Sequence, residues 1–172
     1  MNIVLFPFMV LAAIGFILSL AAHLASLTGI QVPGGEAVWS LHMGIFVVWI
    51  PTVLISSRLT KNTNQRDFWK ATLGGCPLWM RRALYGIFAY AIVNFLYFMF
   101  VASRHEAAGS EIRGFSGHWM VFYGAAFATM YSVRRAPHLL RDRKCSNGHA
   151  VPPSAQFCQE CGIKLLSPNA DA

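Results

Sequence analysis

The chain has 172 residues, 55% of them hydrophobic and only 12% charged, with a net charge of +7 at pH 7. About a quarter of the residues in an ordinary soluble domain are charged, so this composition excludes that class. A nucleic-acid-binding surface is also excluded as the source of the charge, because no aromatic-rich basic platform accompanies the arginines and lysines.

The apolar residues fall into four blocks, at about 3–27, 37–57, 83–102 and 115–133. A helix rises about 1.5 Å per residue, so roughly 20 apolar residues cross a hydrocarbon core of about 30 Å. The expected fold is therefore all-α: a four-transmembrane-helix bundle over residues 1–135, embedded in the lipid bilayer. The first block reads as a span rather than a signal peptide, since no basic residue precedes it and it is longer than a signal core. Pro7 sits in its first turns, where proline is tolerated. The short breaker-rich turn at 28–35 makes the first two spans an antiparallel hairpin. In the second span Pro51 frees a backbone carbonyl and predicts a kink.

Between the second and third spans lies a basic loop with Arg58, Lys61, Arg66, Lys70, Arg81 and Arg82. Its mixed basic and aromatic stretch at 66–73 suits a short interfacial helix, broken before the third span by Gly74, Gly75, Cys76 and Pro77. Cys76 reads as a plain free thiol, with lipidation as the alternative. Arg134, Arg135, Arg141, Arg143 and Lys144 follow the fourth span, whereas the opposite side carries only Arg104 and Arg113. By the positive-inside rule the basic loop and both termini face the cytoplasm.

Polar groups within the spans are costly and hence candidates for function. His23, His42 and His118 fall at similar depth below the outer face on three different spans. Three imidazoles there suit haem or copper. Glu36, His105, Glu106 and Glu111 lie just above and offer a surrounding shell. The alternatives are histidines that only pack or meet interfacial water, or a proton relay. Tyr90, Asn94 and Tyr97 share one face of the third span. They read as cross-bundle hydrogen-bonding groups, or as the wall of a quinone, lipid or small-ligand pocket. Gly124, Ala125 and Ala126 offer a small-residue surface for close helix contact.

After a linker at 136–143, the sequence runs Cys145-Ser-Asn-Gly-His149, then eight residues, then Cys158-Gln-Glu-Cys161-Gly162. Two ligand pairs with short internal spacing are what a tetrahedral metal site needs, and a reducing compartment suits thiolate ligands better than disulfides. Gly162 and Asn147-Gly148 supply the two tight turns. The segment 144–166 resembles the zinc-ribbon tails of many prokaryotic proteins, of the form C-x-N-G-H…F-C-x-x-C-G. That resemblance implies that Cys145, His149, Cys158 and Cys161 hold one Zn²⁺, and it says nothing about the membrane part; the expected location is a prokaryotic inner membrane. His149 replaces the usual second cysteine, leaving a site of formal charge −1 that Arg143, Lys144 and Lys164 can offset. So short a segment buries too little to fold alone, so metal binding supplies its folding free energy, around a miniature core of Val151, Phe157, Ile163 and Leu165. Redox sensing through the thiolates is the alternative to a structural role. Residues 167–172 read as a disordered tail.

No short catalytic metal-site pattern such as H-E-x-x-H is present, so the sequence does not define a reaction. The expected function is a membrane protein that displays a zinc ribbon in the cytoplasm to dock a protein partner. The alternatives are a haem- or copper-binding redox subunit using His23, His42 and His118, and a small homo-oligomeric transporter or channel.

Overall fold

The computed structural model describes residues 2–30, 34–61, 63–100, 110–140, 143–152 and 155–165. It is mostly helical, with a small C-terminal unit. The long helices are α1 (Asn2–Thr28), α2 (Ser40–Leu59, entered through a 3₁₀ turn at Gly35–Trp39), α4 (Leu78–Phe100) and α5 (Ser110–Arg135), with the short α3 (Phe68–Thr72) between α2 and α4. A 3₁₀ turn at Pro137–Leu140 leads to the two-residue strands β1 (Arg143–Lys144) and β2 (Ala150–Val151). These strands pair antiparallel, Arg143 opposite Val151 and Lys144 opposite Ala150. The tail expected at 167–172 lies outside the described residues.

Among the described residues three helices are long and apolar enough to cross a membrane: Val4–Thr28, Gly35–Leu59 and Leu78–Phe100. The fourth expected span, within α5, is as long but more polar. Its place in the packing explains this. α5 touches α1 most extensively, then α4 and α2, whereas α4 has no comparable contact with α1 or α2. The most polar long helix is thus the central one. Its Ser116, Thr129 and Ser132 are buried, while Ile17 of α1, Ile50 of α2 and Val93 of α4 face outward at 63–65% exposure. In water this arrangement would leave a large apolar surface unmet, whereas hydrocarbon solvates it.

Tyr123 of α5 shows how closely the helices approach. Its ring occupies the space where a side chain on Gly15 of α1 would sit and its hydroxyl the space of one on Gly44 of α2, and that hydroxyl donates to the Leu41 carbonyl at 2.7 Å. Gly124 lies against Leu84 of α4 and Phe16 of α1, so the small-residue surface is used between helices of one chain. Asn94, buried in α4, donates through Nδ2 to the Arg113 carbonyl of α5 at 2.8 Å, a hydrogen bond across two helices.

The basic loop is more ordered than its composition suggests. Asn64 caps the turn at Gln65–Asp67 by accepting from the Arg66 amide, and α3 follows where an interfacial helix is expected. The Gly74–Pro77 turn does more than interrupt a helix. A Cβ on Gly75 would lie 2.1 Å from the Ser132 carbonyl oxygen, so only glycine admits this approach to α5. The Gly75 amide donates to Ser132 Oγ at 2.8 Å, and the Cys76 thiol donates to the Ala128 carbonyl. α4 starts at Leu78, earlier than residue 83, and so includes Arg81 and Arg82. Arg81 folds back to donate to the Cys76 and Gly74 carbonyls at 2.9 and 2.8 Å, satisfying acceptors that this turn would leave orphaned. α2 runs unbroken through Pro51.

The expected linker at 136–143 is partly built into the fold. Leu139 in the Pro137–Leu140 turn is buried and lies near Gly74. This turn packs on α2 and α5. The C-terminal unit beyond it shares a small polar cleft with the basic loop, between Asp67 and Lys70 on one side and Pro152 and Gln159 on the other.

Candidate metal centre

The C-terminal unit is two tight turns held face to face. In the first, the Cys145 amide donates to the His149 carbonyl and the Gly148 amide to the Cys145 carbonyl, at 3.0 and 2.9 Å. In the second, the Gly162 amide donates to the Cys158 carbonyl and the Cys158 amide to the Ile163 carbonyl, both at 2.9 Å. Gly148 and Gly162 adopt φ of 84° and 71°, left-handed values that a side chain would oppose. Reversal of the chain at these two positions turns all four ligand side chains inward.

The ligand atoms of Cys145, His149, Cys158 and Cys161 all lie within 4.8 Å of one another. Cys145 Sγ is 3.6 Å from His149 Nδ1 and 3.7 Å from Cys161 Sγ, and Cys158 Sγ is 3.7 Å from His149 Nδ1. A tetrahedral ion with metal–sulfur bonds of about 2.3 Å and a metal–nitrogen bond of about 2.0 Å needs edges of about 3.8 Å between sulfurs and about 3.5 Å from sulfur to nitrogen. The set fits such an ion and can hold it with four protein ligands.

The electrostatics lead to the same conclusion. Burial pushes the Cys158 thiol up, but the amides of Cys161 and Glu160 and the side chains of Cys161 and His149 outweigh it and bring the group to about 6. For Cys161 the Ile163 amide favours the thiolate. Burial together with the neighbouring sulfurs of Cys158 and Cys145 overcomes this and pushes the thiol above its usual range. Three sulfurs this close cannot all ionise unless a cation shares their charge. His149 presents Nδ1 to the cluster and Nε2 to the Glu160 carboxylate at 3.5 Å, an outer contact that orients a ligating imidazole and raises its basicity. Glu160 is absent from the sequence-level site, although its position inside the second turn, next to Cys161, was the available signal.

The expected miniature core is only half inside. Val151 is buried with Cys145 and Cys158, and Leu165 packs against them. Phe157 and Ile163 instead remain 54% and 36% exposed. Phe157 forms an isolated antiparallel bridge with Lys164.

His23, His42 and His118 are not brought together into a ligand group; among the described residues only the C-terminal quartet gathers such atoms. Each histidine has its own partners. His23 lies between Tyr90 of α4 and Ser116 of α5, with Nε2 2.5 Å from the Tyr90 hydroxyl and Nδ1 2.7 Å from Ser116 Oγ. Both ring nitrogens are thereby used. Trp119 donates to His42 Nδ1 at 3.1 Å, within an aromatic cluster that includes Trp39 and Phe115. His118 packs edge-on against Phe95 and reaches the Gly114 carbonyl. Tyr97 lies under the Arg113 guanidinium, 4.5 Å from its ring centre. Tyr90, Asn94 and Tyr97 thus act from one face, as their spacing predicts. Their partners stand far away in sequence and left no local signal. Of the surrounding shell proposed for the histidines, His105 and Glu106 lie outside the described residues.

Comparison with known protein families, curated proteins and solved structures gives no match to this chain.

Proposed function

We propose that this chain is an integral membrane protein, with α5 as a fourth span, that displays a structural zinc ribbon in the cytoplasm as a docking unit for a protein partner. The observation that carries this reading is the closed quartet of Cys145, His149, Cys158 and Cys161. Zinc suits three sulfurs and one imidazole in tetrahedral array, and a site filled by four protein ligands is structural rather than catalytic. When bound, the ion supplies the cross-link that a unit with so few buried side chains lacks. Phe157 and Ile163, exposed on that metal-held unit, provide an apolar surface for a partner.

The distribution of basic residues supports a cytoplasmic location for the ribbon and both termini. The central position of α5 supports its role as a span, because a helix shielded by three others need not be strongly apolar. Elemental analysis of purified protein should give one zinc per chain and no haem absorption. A photo-crosslinking residue at Phe157, introduced into the full chain in its native membrane, should yield a discrete protein adduct. Absence of zinc would refute the ribbon, and absence of any adduct would refute the docking role.

A further inference from the structure

α1 and α4 both pack on α5 but make no extensive contact with each other. Toward their inner halves they stand apart around a cavity of about 250 Å³. Phe16 and Ile17 of α1, Ala83 and Ile87 of α4 and Gly124 of α5 wall it. Nearer the outer end a polar contact joins the two helices. The His23 imidazole of α1, only 2% exposed, reaches the Tyr90 hydroxyl of α4 through Nε2 at 2.5 Å, and the rings meet edge to face.

The partners fix where the protons lie. Ser116 Oγ donates to the Arg113 carbonyl at 3.3 Å, which commits its single proton. It therefore accepts from His23 Nδ1–H at 2.7 Å, and Nε2 of the neutral ring accepts from the Tyr90 hydroxyl. The other tautomer would leave the Tyr90 proton without an acceptor. A proton added to this imidazole goes to Nε2 and turns it from acceptor to donor. The phenol must then point its own hydrogen into hydrocarbon, where no acceptor stands. Charge opposes protonation as well. Of the groups on the packed helices, α4 presents only the neutral Tyr90, and Arg113 of α5, the charge that acts on His23, is itself a cation. His42 of α2 is turned to Trp119.

We propose that His23 is a pH-sensitive latch between α1 and α4: neutral, it holds the Tyr90 hydroxyl and closes the two helices; protonated, it releases Tyr90 and opens the seam above the cavity. Asn94 and the Gly75–Cys76 turn keep α4 on α5, so α4 swings away from α1 with α5 as the pivot. Ser116 is fully buried, so the hydroxyl beside the imidazole anchors the latch and meets no substrate. The inference rests on the membrane reading given above, which puts His23 near the outer face and makes the latch sense the pH outside the cytoplasm.

The test places spin labels on α1 and α4 of the full chain in lipid nanodiscs. Ketone-bearing residues replace Leu24 and Val93, which face outward, so that labelling spares the cysteines. Dipolar spectroscopy then compares about pH 8 with about pH 5, on either side of the ordinary imidazole range. The inter-label distance should lengthen by about 2 Å at the lower pH, the scale of helix shifts in switching proteins. His23→Gln, which accepts from Tyr90 and donates to Ser116 without titrating, should keep the short distance at both pH values. Tyr90→Phe should give the longer distance at both, and it carries the test alone if His23→Gln does not assemble. A distance that ignores pH in the unmodified chain, or a pH-dependent change that persists in either variant, would overturn the latch and leave the membrane reading intact. Release of the chain from native membranes by alkaline carbonate would instead overturn the membrane reading, and the outward placement of the latch with it.

Discussion

The helical region and the C-terminal unit solve the same problem, ordering a chain, by opposite means. In the helical region buried polar groups sit among apolar core residues such as Trp119 and Met130, and large apolar side chains also face outward. Ser116, Thr129 and Ser132 sit on the buried central helix, while Ile17, Ile50 and Val93 face outward. Order there comes from close packing, as where Tyr123 fills the notches left by Gly15 and Gly44, and from hydrogen bonds between helices such as Asn94 to Arg113. Among the described residues of the C-terminal unit only Cys145, Val151, Pro152 and Cys158 are buried, with Cys161 and Leu165 partly buried against them. A bound ion has to supply what packing cannot. The contrast teaches that the two regions should fail independently, one to loss of fit and the other to loss of metal.

The sharpest way to break the comparison is Cys158→Ser. On the zinc-ribbon reading proposed above, the ion contributes on the order of 10 kcal/mol or more to such a unit, so this variant should lose its metal and expose the tail to protease while the helices keep their circular dichroism. Unfolding of the helical region in the same variant would show that the two are one cooperative unit.

The converse is Tyr123→Ala. Emptying a buried aromatic site costs about 3–5 kcal/mol in cores generally. Thermal unfolding of the detergent-solubilised helices should shift down accordingly, with metal content the same as in the unmodified chain.

Smaller effects sharpen each side. Glu160→Gln removes the carboxylate facing His149 Nε2, and metal affinity should fall about 10- to 100-fold in competition with a chelator. A fall of less than twofold would mean that the contact does not orient the imidazole.

The least effect is expected at Cys76, whose thiol burial pushes up to about 11 from 9.0. The folded state holds this proton more tightly than the unfolded chain, so the contribution is complete below about pH 9 and is lost as pH rises toward 11. Maleimide labelling of metal-loaded protein at pH 7 should spare Cys76 until the helices unfold. Prompt labelling would place the Gly74–Pro77 turn away from α5.

What the sequence could reveal depended on how far apart the interacting residues stand. The four metal ligands lie within one short segment, their turns are marked by Gly148 and Gly162, and their chemistry restricts them to one arrangement, so the quartet was legible before any fold was known. Helix positions were legible for a similar reason, because hydrocarbon thickness sets their length and composition. The depth shared by His23, His42 and His118 was legible too, but depth fixes only one coordinate of three. Rotation about each helix axis decided the rest, sending His23 to Tyr90 and Ser116, His42 to Trp119 and His118 toward Phe95. Tertiary packing alone also made the most polar long helix the central one, left the cavity between α1 and α4, and kept Phe157 exposed. The local sequence carries length, turns and ligand spacing, whereas these features depend on which faces meet across the bundle, and that is settled only when all the helices pack together.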